Sequence, residues 1–79
     1  MANKYTPDEL AERVKSPGWG LAGGKDGAPV KGTLEEVLTL AHQQYKSGQK
    51  PGLIAEIETA IELEMVEIDL LWRYLGLPV

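Results

Sequence analysis

Apolar residues recur at helical spacing in three stretches of this chain, divided by runs rich in glycine and proline. In the first stretch Leu10, Ala11 and Val14 make a narrow stripe that ends near Ser16-Pro17-Gly18. Thr6 suits the N-cap and Pro7 the first helical position, while Asp8 and Glu9 complement the positive end of the helix dipole. A helix so short is marginal alone and must dock on something. The second stretch opens with Thr33-Leu34-Glu35-Glu36, a capping box in which Thr33 and Glu36 satisfy each other's orphan amides. Leu34, Val37, Leu38, Ala41 and Tyr45 then follow a helical period, and Ser47-Gly48 stops it.

After the short connection Gln49-Lys50-Pro51-Gly52, the third stretch runs from about Leu53 to Leu75, with Gly76 and Pro78 ending it. Read as one helix it is roughly 35 Å long and returns antiparallel to the second. Its main face carries Ile54, Ile57, Ile61, Ile68, Leu71 and Leu75 at spacings of three and four, with Trp72 beside them and Glu64 interrupting the seam. Glu64 either snorkels at the stripe's edge or fixes register across an interface. A second apolar patch, Leu63, Val66, Leu70 and Tyr74, lies nearly opposite. Glu58, Glu62, Asp69 and Arg73 fill the wedge between, and Asp69 and Arg73 form an i,i+4 pair.

Between the first two helices, residues 16–32 hold Gly18, Gly20, Gly23, Gly24, Gly27 and Gly32 with Pro17 and Pro29. That composition rules out a regular helix and disfavours a strand, so the stretch reads as a glycine-rich loop, functional or partly mobile. Trp19 within it is an anchor folding the loop onto the body, or an exposed contact for a partner. The expected fold is therefore all-α: a small three-helix domain spanning residues 1–79, in which helices two and three form an antiparallel hairpin. The short N-terminal helix and the loop pack across that hairpin.

Composition narrows the chemistry. The chain has 79 residues, no cysteine and a single histidine, His42, so disulfides and thiolate zinc sites are excluded and a histidine cage is disfavoured. Helix packing or a second subunit must then supply stability. The net charge of −4 disfavours a general nucleic-acid surface, because phosphate contact needs clustered Lys and Arg. Neither a signal-peptide core nor a run of apolar residues long enough to cross a membrane is present, which makes the cytoplasm the default location.

The familiar motifs fail on context. Gly18-Trp19-Gly20-Leu21-Ala22-Gly23 matches G-x-G-x-x-G, but the first helix precedes it where the dinucleotide fingerprint needs a strand. Gly23-Gly24-Lys25 lacks the first glycine of a P-loop and has Asp26 where Ser or Thr would hold magnesium. The loop amides with Lys25 and Lys31 could still hold an anion. His42 has no helical metal-binding companion, and Ser16 and Ser47 have no organising motif. The acids from Glu56 to Asp69 read as a solvated face or as the rim of a contact with a basic partner surface. They lie outside any calcium loop.

The expectation is a non-enzymatic protein-interaction module without cofactor or metal: a small acidic regulator, adaptor or inhibitor, of a type that suits a bacterial or phage accessory protein. The second helix is too short to cover the far end of the third, so the partner-binding residues are Val66, Leu70, Trp72 and Tyr74, rimmed by Glu62, Asp69 and Arg73, with Trp19 added from the loop. A homodimer is the expected form. The alternatives are a small-ligand or nucleotide binder using the glycine-rich loop, and a structural subunit of a larger assembly.

Overall fold

The computed structural model describes residues 5–23 and 27–78. Two of its three helices begin where the capping residues place them. Helix α1 is Pro7–Glu12, and Thr6 and Glu9 exchange side-chain and backbone hydrogen bonds at 3.2 and 2.9 Å. Helix α2 is Leu34–Lys46, closed at its start by the same reciprocal bonds between Thr33 and Glu36, each 3.2 Å. The rest departs from the all-α expectation, because three strands join the helices in an α+β fold.

The glycine-rich stretch is a hairpin. Strand β1, Trp19–Leu21, pairs antiparallel with β2, Val30–Gly32, in the register Trp19↔Gly32, Gly20↔Lys31 and Leu21↔Val30. Glycine weakens a strand interior when neighbours could have packed on its side chain. Here Trp19 and Leu21 take the buried positions and Gly20 the intervening one, so the strand loses little. The anion site imagined at Lys25 falls outside the described residues.

The long third helix does not exist, and the helical hairpin goes with it. Ile54–Glu56 is strand β3, paired antiparallel with the other edge of β1, which gives the sheet order β2-β1-β3. The chain turns back after Glu56, with Ala60 N–H donating to Glu56 C=O at 2.8 Å and Glu56 N–H to Ile61 C=O at 2.9 Å. Residues 61–63 then run beside β3 through the Ala55↔Glu62 bridge. Only Met65–Tyr74 remains helical, as α3. The physical reason is an ambiguity of period. Ile54, Ile57 and Ile61 fit a helical stripe, but Ile61-Glu62-Leu63-Glu64 alternates as a strand does, and β-branched isoleucine suits extended backbone. Pairing with β1 decides between them. Glu64 is then no seam residue but the N-cap of α3, where its amide donates to the Glu67 carboxylate at 2.9 Å.

All three helices contribute to one core, against one face of the sheet. Leu10 from α1, Val37 and Leu38 from α2, and Ile68, Leu71 and Trp72 from α3 close over Trp19, Leu21 and Ile54. The Trp72 indole N–H donates to the Leu38 carbonyl at 2.9 Å, and the His42 ring meets Trp72 edge-on at 5.3 Å. Past α3, Gly76 takes φ 77° and Leu77 N–H returns to Trp72 C=O at 2.8 Å, a Schellman stop that turns the chain back toward the core. No described helix is long and apolar enough to cross a membrane.

Candidate functional site

The helices cover one face of the sheet and leave the other open. Successive strand residues point to opposite faces, and directly paired residues point to the same one. Since Trp19, Leu21 and Ile54 are buried under the helices, the outward positions follow from the register. Across the sheet they form the row Lys31–Gly20–Ala55–Glu62. Along β3 and its flanks they are Leu53, Ala55 and Ile57, and along β1 and its flanks Gly18, Gly20 and Ala22. The flanks stay in step, because Ala22 N–H donates to Leu53 C=O and Ile57 N–H to Gly18 C=O, both at 2.8 Å.

The outcome is a ridge beside a groove. Leu53 and Ile57 are 58% and 48% exposed, and the neighbouring strand offers only Gly18, Gly20 and Ala22. Ile57 leans over the groove, its Cγ1 standing 3.4 Å from where a Cβ on Gly20 would be. A shallow trough of about 350 Å³ follows this face, with Pro29 and Lys31 on one side and Ala60 and Glu62 on the other. Ala60 holds φ 59° at its rim, a left-handed conformation uncommon for a residue with a Cβ. An antiparallel sheet with one solvated face normally alternates apolar-in with polar-out. Here charge appears only at the two ends of the outward row.

The loops that frame the trough are tied together behind it. Gln44 on α2 donates to Gly23 C=O at 2.7 Å and accepts from Gly52 N–H at 3.0 Å, joining the end of β1 to the approach of β3. At the sheet's inner edge, Glu56 Oε1 accepts from the Tyr5 and Thr59 hydroxyls, both at 2.7 Å. The Thr59 bond, then the Tyr5 bond, holds the Glu56 carboxyl below its usual pKa. Its counterpart Tyr5 is raised, chiefly by the bond to Glu56, while the Arg13 guanidinium stacks 4.4 Å from the Tyr5 ring and opposes the rise. Among the described residues, no three His, Asp or Glu side chains converge as metal ligands would.

The residues expected to bind a partner are scattered by this fold. Trp19 and Trp72 are core groups with no surface to offer. Val66, Leu70 and Tyr74 do lie exposed along one side of α3, beside the Asp69–Arg73 ion pair at 3.2 Å. Glu62 stands apart from them at the rim of the trough. The sequence reading missed Gly20, Lys31, Leu53, Ala55 and Ile57 as a group. The available signals were the large-small-large alternation of Trp19-Gly20-Leu21 and the period of two at Ile61–Glu64. No family model matches the chain, and no curated protein or solved structure matches it either.

Proposed function

We propose that this chain is a non-enzymatic protein-interaction module, a small cytoplasmic regulator, adaptor or inhibitor, that binds through the open face of its sheet. One observation carries the reading: the outward positions of a three-stranded sheet hold Leu53, Ile57, Ala55 and Gly20 where a solvated face would hold polar side chains. Burying Leu53 and Ile57 against a partner would recover roughly half of the 1.5–3 kcal/mol that complete burial of each contributes. The strained Ala60 at the rim supports the reading, since such backbone persists where surrounding structure and use over-determine it.

A second reading keeps the contact on α3, where Val66, Leu70 and Tyr74 repeat every fourth residue and Val66 and Tyr74 are over 60% exposed, at 61% and 63%. Affinity capture from source cells separates the two, using wild type, Ile57→Glu and Leu70→Glu. Loss of the captured partner in Ile57→Glu alone is the expected result. Loss in Leu70→Glu alone would move the contact to the helix, and retention in both would remove the interaction reading. Both sites are exposed, so each variant should keep its stability within about 0.5 kcal/mol.

A further inference from the structure

We propose that the open sheet face docks on a second copy of this chain, the two sheets packing face to face about a twofold axis that runs parallel to the strands between β1 and β3. The inference rests on reading that face as a protein-binding surface, and it names the partner. Its support is self-complementarity of both shape and charge.

Such an axis exchanges left and right across the sheet while leaving position along the strands unchanged. It therefore sets β3 of each copy over β1 of the other. From the register, Ile57 then faces Gly18, Ala55 faces Gly20, and Leu53 faces Ala22. Every large outward residue of β3 meets a position of β1 that has a small side chain or none. Ile57 already leans over its own Gly20, so the residue that enters the opposite groove is Leu53 over Ala22, once from each copy, as a closed isologous contact requires.

The charges obey the same operation. Lys31 and Glu62 stand at opposite ends of one cross-sheet row, with Gly20 and Ala55 between them. At about 4.8 Å per strand they are roughly 14 Å apart. The axis bisects that row, so Lys31 of each copy arrives over Glu62 of the other, giving two pairs of opposite charge. A twofold axis running across the strands would instead set Lys31 over Lys31 and Glu62 over Glu62. Like charges at both rims disfavour that arrangement.

Area sets the strength. Five positions along β1 and β3 with their flanks, and four chain segments across counting residues 61–63, make a face of at most roughly 330 Å², well below the ~800 Å² per partner of a standard stable interface. The self-contact is weak, with a Kd on the order of 0.1–1 mM. Two subunits meeting through it exchange readily, so a tighter protein partner would displace the second copy from the same face.

The test is sedimentation velocity at low ionic strength up to about 2 mM chain, a range set by that affinity, with circular dichroism confirming that each variant is folded. Wild type should shift toward dimer with concentration. Lys31→Glu alone and Glu62→Lys alone should each weaken association about tenfold, the difference shrinking as salt is added. Mixing these two single variants should restore association, because each then meets a copy of opposite rim charge, and so should the double variant K31E/E62K. A wild type monomeric throughout overturns the proposal. So do single variants that associate like wild type, or a mixture that fails to recover. A monomeric wild type whose captured partner is still lost in Ile57→Glu overturns the second copy alone and leaves the interaction reading standing. If Ile57→Glu and Leu70→Glu both keep the partner as well, both readings fall.

Discussion

The two faces of this small sheet are made from interleaved residues of the same strands, yet they obey opposite rules. Facing the helices, Trp19, Leu21 and Ile54 are large and shut off from solvent. Facing outward, the positions between them are glycine and alanine on β1 and its flanks, and on β3 and its flanks exposed Leu53 and Ile57 on either side of half-buried Ala55. The inner face stabilises the fold by removing apolar area from water. The outer face contributes little to folding and keeps apolar area available for contact. Stability and recognition are thus separated by the parity of a residue within its strand. A substitution one position along should change one property and leave the other.

The largest effect expected on that comparison is on the inner face. Trp19→Ala removes a fully buried indole and should destabilise by about 3–5 kcal/mol, enough to unfold most of a domain this small. Loss of cooperative thermal unfolding by circular dichroism would show it. Phenylalanine sharpens the point. The Trp19 Nε1 has no hydrogen-bond partner among the described residues, whereas Trp72 Nε1 donates to Leu38. Trp19→Phe relieves a buried unsatisfied donor while losing volume, and Trp72→Phe loses volume and a bond together. Trp72→Phe should therefore be the more destabilising by about 1–2 kcal/mol in urea unfolding. Equal effects would mean that the two indole N–H groups are alike in their surroundings.

How much of this division could be read from the sequence depended on whether a signal was local. The Thr6 and Thr33 caps, the stops at Gly48 and Gly76 and the stripe of α2 rest on neighbours within one turn, and they stand in the structure where the sequence places them. The role of Trp19 as an anchor was also legible, because a tryptophan among glycines has few other ways to be satisfied. Residues 53–64 were not legible as strand and turn. Their apolar spacing fits both periods, and the deciding partner, β1, lies over thirty positions away in a stretch whose glycines argue against a strand. The candidate site was hidden for the same reason: the Lys31–Gly20–Ala55–Glu62 row exists only once the register is fixed, and of its two central members one has no side chain and the other only a methyl group.

A smaller effect is expected where the two faces are stitched together. A Cβ on Gly52 would stand 1.8 Å from the Ala22 carbonyl oxygen, a backbone atom that no rotamer change can move. Gly52→Ala must push the end of β1 away from the approach to β3 and strain the Gln44 bonds to Gly23 and Gly52. A loss of about 1–3 kcal/mol is expected, read as a lower urea midpoint with the slope unchanged. Because Ala22 and Leu53 are outward neighbours, the same substitution should disturb the outer face. Gln44→Ala, which removes the tie without the clash, should cost about 1 kcal/mol. If Gly52→Ala proved neutral, the close approach of these two segments would be wrong.

The smallest effect tests the rim where the faces meet. Glu56 lies opposite Trp19 in the register, and its carboxylate is held by the Thr59 and Tyr5 hydroxyls, which lower its pKa from the usual 4.5. A carboxyl with a lower pKa folded than unfolded stabilises the fold fully above the unfolded value. That contribution disappears as pH falls through the folded value. The loss therefore begins near pH 4.5 and is complete only at still lower pH. The group is only partly buried, so solvent screening keeps the effect modest. Urea midpoints measured from about pH 6 down to about pH 3 should fall in wild type and less steeply in Glu56→Gln, which cannot ionise. Tyr5→Phe should narrow the difference, and Thr59→Val should narrow it more, because the Thr59 bond is the larger cause of the lowered pKa. The slope of the trough variant Ile57→Glu offers no such comparison, since it adds a carboxylate of its own. Parallel curves for wild type and Glu56→Gln would mean that this carboxylate's bonds hold the turn after β3 in place without contributing to its pH dependence.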